Sequence, residues 1–410
     1  MSKSNRLIFL APLLSILVLV LGNGVSVSLT TVIMNTHAAS NISIAVVSSM
    51  GFLGVILGSC ICQSVIIRTG HVRAYMIFAL LCMVACIGQG LIYNVPAWVV
   101  FRLLNGISLA GMYIIIESWL LGLSNSENRG RVLGVYMLSF YAGQSMSQWL
   151  LDIPGATALF LLSVIAFCTA VSIVPLISTR FTPPKAEATM GMSVGYVSRR
   201  ALLGVAGCLG SGMILSVIYS FVPKFLIYVG HGDSVADAMF AVILGGTLMQ
   251  YPIGKMSDKF DRRWVLAFAS LACALVGGLI ALHYQNLSIL IPLCFLLGGS
   301  SFLIYPISIA YTVDRMDPGH VLVAVSVLYI VYAVGSVVGP LLVVPFLYIS
   351  DLTGYFIYIG IAGLGLAVAC LFDRLHVPQQ PVHEVDFVPV PQTSIEAPHL
   401  DPRVHEEGEK

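Results

Sequence analysis

The chain has 410 residues, 58% of them hydrophobic and 10% charged, with a formal net charge of +1. That is more apolar side chain than a soluble core of this length can use, so lipid must solvate much of it. The near-neutral balance carries no footprint of nucleic-acid binding, and the chain is read as a non-enzyme without cofactors.

A bilayer core of about 30 Å needs roughly 20 apolar helical residues, and such segments recur from Leu7 to Leu371. Only helices or closed barrels span a membrane, and runs such as Ala201 to Phe221 lack the two-residue alternation of a barrel strand. The predicted fold is an all-α integral membrane protein with twelve spans near 7–34, 42–66, 74–94, 97–121, 131–150, 156–177, 201–228, 235–254, 264–284, 287–312, 321–345 and 351–372. The first span begins like a signal peptide, with Lys3 and Arg6 before an apolar run. It continues through Gly22 and Gly24 without a small-residue cleavage site and is expected to be retained.

Lys and Arg collect in cytoplasmic loops. With the N-terminus inside, 18 of the 20 basic residues fall in cytoplasmic segments, and the exceptions, Arg102 and Lys224, lie in or at the outer end of spans. Both termini are therefore expected to be cytoplasmic. All nine cysteines sit in apolar stretches as small hydrophobes, and Cys60 and Cys62 lack partners at zinc-ligand spacing, so no disulfide framework or metal site is expected.

The chain repeats itself at an offset of about 190 residues. Leu21-Gly22-Asn23-Gly24 matches Leu209-Gly210-Ser211-Gly212, Gly106 lies near Gly299, Gly143 matches Gly335, and the loop from Arg68 lies opposite the loop from Lys259. Matches in order at a nearly fixed offset imply two parallel six-helix bundles, 1–177 and 201–375. Residues 178–200, with Pro183-Pro184, read as a cytoplasmic linker, and the proline-bearing acidic stretch 376–410 as a disordered cytoplasmic tail.

The stretch Gly254-Lys255-Met256-Ser257-Asp258-Lys259-Phe260-Asp261-Arg262-Arg263 is similar to the signature loop of the major facilitator superfamily, with Asp261 where a glycine is usual. The first-half copy is degenerate, with Gln63 and Ile67 at the Gly and Asp positions, leaving Arg68, Gly70 and Arg73. Arg102 to Gly106 resembles the family's Arg-x-x-x-Gly motif, which the resemblance links to proton coupling. The run Tyr113, Glu117-Ser118-Trp119-Leu120 and Arg129-Gly130-Arg131 resembles a bacterial subgroup, the YcaD-type transporters. The Gly-x-x-x-Gly-Pro antiporter motif falls in span eleven, Gly335 to Pro340, rather than span five, which weighs against typical drug antiport.

A charge at membrane depth costs about 2.5–3.5 kcal/mol on insertion scales, so it normally has a partner inside the bundle. Arg102 and Glu117 are 15 residues apart, about 22 Å along one helix, too far to pair with each other. Arg102 is expected either to bind an anionic group or tune a proton-binding carboxylate, or to be structural, satisfied by carbonyls. Glu117 is expected either to carry a proton or to pair with Arg68, Arg131 or another loop base. Tyr113 shares a face with Arg102, and Asn23, Gln144, Gln148, Tyr305, Tyr329 and Tyr332 lie on polar stripes that line a cavity or mediate packing. A cytoplasmic gate is expected from Arg68, Gly70, Arg73, Arg131, Asp258, Arg262 and Arg263, with Asp258 accepting hydrogen bonds from the start of span five and Asp314 in support.

No phosphate loop is present to drive transport with ATP. The expected function is alternating-access secondary transport of a small solute, coupled to protons as a symporter, by a monomer in the bacterial inner membrane. The competing classes are a non-transporting scaffold or sensor on the same fold and a drug or metabolite efflux antiporter.

Overall fold

The computed structural model describes residues 3–125, 128–177, 194–377, 387–388 and 391–400. No strand occurs among them. Eleven helices are long and apolar enough to cross a membrane: α1 (Phe9–Thr36), α2 (Asn41–Thr69), α3 (His71–Leu91), α4 (Val95–Leu123), α6 (Ala158–Ile177), α7 (Val194–Tyr228), α8 (Gly232–Met256), α9 (Arg262–His283), α10 (Leu287–Val313), α11 (Val321–Ile349) and α12 (Gly354–His376). The twelfth, α5 (Arg129–Ser147), is less apolar and continues as the 3-10 turn Gln148–Asp152. Phe167 on α6, Leu80 on α3 and Leu282 on α9 are 68%, 63% and 76% exposed, as suits side chains that hydrocarbon solvates.

Contacts group the residues into two units. The first comprises residues 1–29, 50–189 and 391–410, and the second 30–49 and 190–390. The division departs from the expected halves in two segments, since 30–49 groups with the second unit and 391–410 with the first. In the second unit, Thr31 donates to the Ser220 carbonyl and Ser49 to that of Val337, each at 2.7 Å, which ties the early segment down.

Residues 194–200, read as linker, are helical and are set off by a non-helical break at Ala201 (φ −144°, ψ 59°), where the seventh span was expected to begin; the rest of the linker, 178–193, lies outside the described residues. One expectation is corrected. Residues 391–400, read as disordered, are placed against α4 and α5, with Thr393, Ser394, Ala397 and Leu400 buried. The composition argument fails here because hydrogen bonds to a buried group add to the burial of a few apolar side chains, which a mean over the tail does not register.

The repeat is visible in how glycines let helix backbones approach. In the first unit a Cβ on Gly106 of α4 would strike the Gly51 carbonyl of α2, and one on Gly54 the Leu103 carbonyl. In the second unit Gly298 of α10 stands in the same way against Val242 of α8, and Gly245 against Phe295. Gly143 of α5 packs on the backbone of α1, and Gly335 of α11 on the Leu209 carbonyl of α7. Because the obstacle at Gly106 is backbone, Gly106→Ala is expected to lower the thermal unfolding midpoint, at a cost of about 1–3 kcal/mol for overpacking. Gly360→Ala on α12, where the added carbon meets nothing within 4 Å, serves as the control and should be neutral or stabilising. Equal midpoints for the two variants in detergent would rule out the close-approach account.

Candidate functional site

The first unit holds both charges that the sequence places inside the membrane. α4 starts cleanly, with Asn94 capping Ala97 and Pro96 in the first turn, and carries Arg102 and Glu117 into the bundle, 3% and 1% exposed. The Arg102 guanidinium lies against Gly51, where a side chain would meet it. Its hydrogen bonds are long, 3.3 Å to the Ser26 hydroxyl and 3.5 Å to the Ser26 carbonyl, and its Nε has no acceptor. Among the described residues no carboxylate pairs with it. A group with five donors is thus nearly removed from water, with long hydrogen bonds from Nη1 and an unpaired Nε.

Beside it runs a polar chain across α1, α3, α4 and α6. Asn105 donates to the Cys82 and Cys86 thiols at 3.4 and 3.5 Å, Cys82 donates to Asn23 Oδ1 at 3.5 Å, and Asn23 donates to Thr169 at 2.9 Å. Asn23 therefore holds α1 to α6. Gln148 acts similarly, donating to the Gly24 carbonyl at 3.2 Å where α1 breaks. Tyr113 and Gln144 are half-buried, and Tyr113 meets Phe140 edge-on at 5.7 Å.

Glu117 is met by hydroxyls. Tyr136 of α5 donates to Oε1 at 2.5 Å, Thr393 also donates to Oε1, and Ser394 donates to Oε2. Among the described residues Glu117 forms no ion pair, and Arg68, Arg73 and Arg131 are exposed. Of its two expected roles, pairing with a loop base is not seen among the described residues, and three neutral donors surround the carboxylate. The Glu396 carboxyl nearby is pushed up by burial.

In the second unit the three predicted tyrosines do come together. The rings of Tyr305 and Tyr332 are 4.9 Å apart, and those of Tyr329 and Tyr332 are 6.5 Å apart. Lys224 donates to Asn41 Oδ1. The signature loop forms a compact ionic network. Arg262, 5% exposed, pairs with Asp314 at 2.5 Å and with Asp258 at 3.4 Å, and donates to the Ser257 hydroxyl at 3.0 Å. Arg263 pairs with Asp261 at 3.0 Å and Asp373 at 3.6 Å, while Tyr311 donates to Asp373 at 2.7 Å. Asp261, in the place of the usual glycine, caps α9 by accepting from the Arg263 amide at 3.0 Å. Burial pushes the Asp261 carboxyl up, and the hydrogen bonds and charge of Arg263 more than reverse it, leaving it below the ordinary aspartate value. Asp258 accepts from the Phe387 backbone amide at 2.9 Å, and the Phe387 ring packs over Gly254. Gly70 ends α2 with φ +80°.

Sequence reading missed Tyr136, Asp373, Thr393 and Ser394. Asp373 had a signal, an acid in the last turns of a span that needs a cation. The three hydroxyls had none, since serine, threonine and tyrosine occur throughout the chain.

Apolar helices of membrane-spanning length, crossing closely at glycines and carrying buried charge on α4, define a polytopic all-helical architecture. The chain belongs to the Major Facilitator Superfamily, which it matches over residues 13–340 and again over 231–399. It is 31% identical over 301 residues to an uncharacterized MFS-type transporter YcaD of Salmonella arizonae, and 32% identical to YcaD of Escherichia coli strain K12 / DH10B, covering 72% of this chain and 78% of the relative in each case. Its fold resembles a bacterial homologue of the human lysosomal transporter Spinster in an inward-facing, occupied conformation (TM-score 0.75, 16% identity, 92% of this chain and 97% of that one). It also resembles the nucleoside transporter NupG (TM-score 0.72, 14%, 91% and 98%) and the Escherichia coli xylose transporter XylE (TM-score 0.66, 16%, 92% and 98%).

Proposed function

We propose that this chain is a secondary active transporter that moves a small solute across the bacterial cytoplasmic membrane by alternating access, with the proton as coupling ion and both termini cytoplasmic. The observation that carries the reading is Arg102, a buried guanidinium with long hydrogen bonds and no carboxylate partner among the described residues. Burying such a group costs several kcal/mol, and a transported ligand or a coupled protonation step gives that cost a use. The loop after α8 serves as the cytoplasmic latch, a role supported by the ionic network on Arg262 and Arg263. The first candidate solutes are nucleosides and D-xylose, the cargoes named for similarly folded transporters.

The test is uptake of radiolabelled nucleosides and D-xylose into proteoliposomes under an imposed proton gradient. An inside-alkaline gradient should accelerate uptake of the cargo and a protonophore should collapse it. A cargo indifferent to both would remove the proton coupling. Glu117, whose carboxylate already holds three hydroxyl donors, is the assigned proton carrier. Glu117→Gln should abolish gradient stimulation of uptake, and full gradient-driven uptake by this variant would exclude the role.

A further inference from the structure

The transport reading gives no task to residues 391–400, yet this segment is buried at the residue that reading assigns to proton coupling. Thr393 and Ser394, 3% and 0% exposed, each give a hydroxyl to Glu117, one to each carboxylate oxygen. The Ser394 oxygen accepts from the Glu396 amide at 3.0 Å, so the turn of the segment itself aims the second hydroxyl. Ala397 and Leu400, both fully buried, seat the rest of the segment beside α4 and α5.

A carboxylate shut off from water requires donors, and charge-assisted hydrogen bonds are the strong ones. Of the three donors on Glu117, only Tyr136 belongs to a spanning helix. When the segment leaves, Glu117 retains Tyr136, and two acceptor positions on adjacent oxygens open together. The group that fits them is a pair of neighbouring hydroxyls, the pattern the consecutive Thr393 and Ser394 side chains imitate. A cation is a poorer fit, because the structure fills the site with neutral donors alone.

We propose that Glu117 and Tyr136 form a subsite for paired hydroxyl groups of a polyhydroxylated solute, and that the Thr393–Ser394 segment is a built-in competitor that occupies it at rest. The proposal rests on the reading of the chain as a transporter, because it takes the displaced segment to be the resting plug of a transport site.

The test is hydrogen–deuterium exchange by mass spectrometry on the purified full chain, with a synthetic peptide of residues 387–400 as the unprotected reference. Amides of residues 393–397 should exchange at least about tenfold more slowly than in the free peptide, as one hydrogen bond to a charged group is sufficient to produce. Thr393→Ala/Ser394→Ala, confined to the tail, should return them to the free rate without altering protection in the spans. Glu117→Gln, which keeps the shape and loses the charge, should move them in the same direction. Xylitol, a chain of adjacent hydroxyls, should release the segment in the unmodified protein, and potassium chloride should not. A segment that exchanges at the free rate, or that stays equally protected in the double variant, overturns the docking. A segment that xylitol does not release overturns the paired-hydroxyl assignment. None of these readouts uses transport, so failure here is distinguishable from failure of the transport reading.

Discussion

Arg102→Ala is expected to reduce solute uptake in proteoliposomes by about a hundredfold, and Arg102→Lys by nearly as much, with the amount of inserted protein unchanged. Each hydrogen bond from a charged donor is worth about 1.5–3 kcal/mol, and 1.4 kcal/mol is a factor of ten, so the loss of one or two such bonds to a ligand gives that magnitude. Lysine is the informative variant. It keeps the charge at the same depth but replaces a planar fork of five donors by a point charge on a flexible stem. A structural arginine held by the Ser26 carbonyl and hydroxyl would be served by lysine well enough, because those bonds are long and carry little. Uptake by Arg102→Lys at the parental rate would therefore show that Arg102 is structural. Thermal unfolding separates the two readings further, since a structural role lowers the midpoint in Arg102→Ala and spares Arg102→Lys, whereas a ligand-binding role lowers uptake in both and leaves the midpoint alone.

The spans were legible because the bilayer imposes a length and a composition together. α4 occupies Val95–Leu123 against an expected 97–121, and the agreement is similar along most of the chain. The repeat was legible for a related reason. Gly106 and Gly335 stand where helix backbones nearly touch, whereas Gly299, matched to Gly106 in the sequence, faces the Met249 side chain, and it is Gly298 that meets backbone. Arg262 and Arg263 stand out in the sequence because their loop has a compact signature, and the structure surrounds both with carboxylates.

The polar stripes were less legible, because a cavity wall and a packed helix seam write the same pattern. Asn23 and Gln148, read as lining candidates, hold α1 to α6 and α5 at its break near Gly24, whereas Tyr305, Tyr329 and Tyr332 do gather into one aromatic cluster. The tail was the least legible element. Averaged over 376–410 its hydrophobicity is too low to predict folding, yet Thr393 and Ser394 meet a buried acceptor, Glu117, while Ala397 and Leu400 are buried beside them. A pattern based on mean composition has no access to a single long-range hydrogen bond.

Asp314→Ala is expected to destabilise the second unit by about 3 kcal/mol, the lower end of the 3–5 kcal/mol for removing one partner of a buried ion pair. The reasoning starts from Arg262, which is 5% exposed and has its shortest contact, 2.5 Å, with Asp314. Without Asp314 the guanidinium keeps Ser257 at 3.0 Å and Asp258 at 3.4 Å, which softens the loss but does not cancel it. Asp258→Asn removes a longer and more exposed pairing and should cost less than about 1 kcal/mol, as partly solvated pairs do. Removing both members, as in Arg262→Met/Asp314→Leu, leaves neither of this pair as an uncompensated buried charge and should recover much of the stability lost in Asp314→Ala. The unfolding midpoints of these variants in detergent give the order directly. Equal losses from Asp314→Ala and Asp258→Asn would place the centre of the network elsewhere. The ordering matters for mechanism, because Asp314 follows α10 and Arg262 opens α9, whereas Asp258 holds the loop and the Phe387 amide. If Asp314 bears the stability, Asp258 is left to exchange partners during the transport cycle without unfolding the helices it joins.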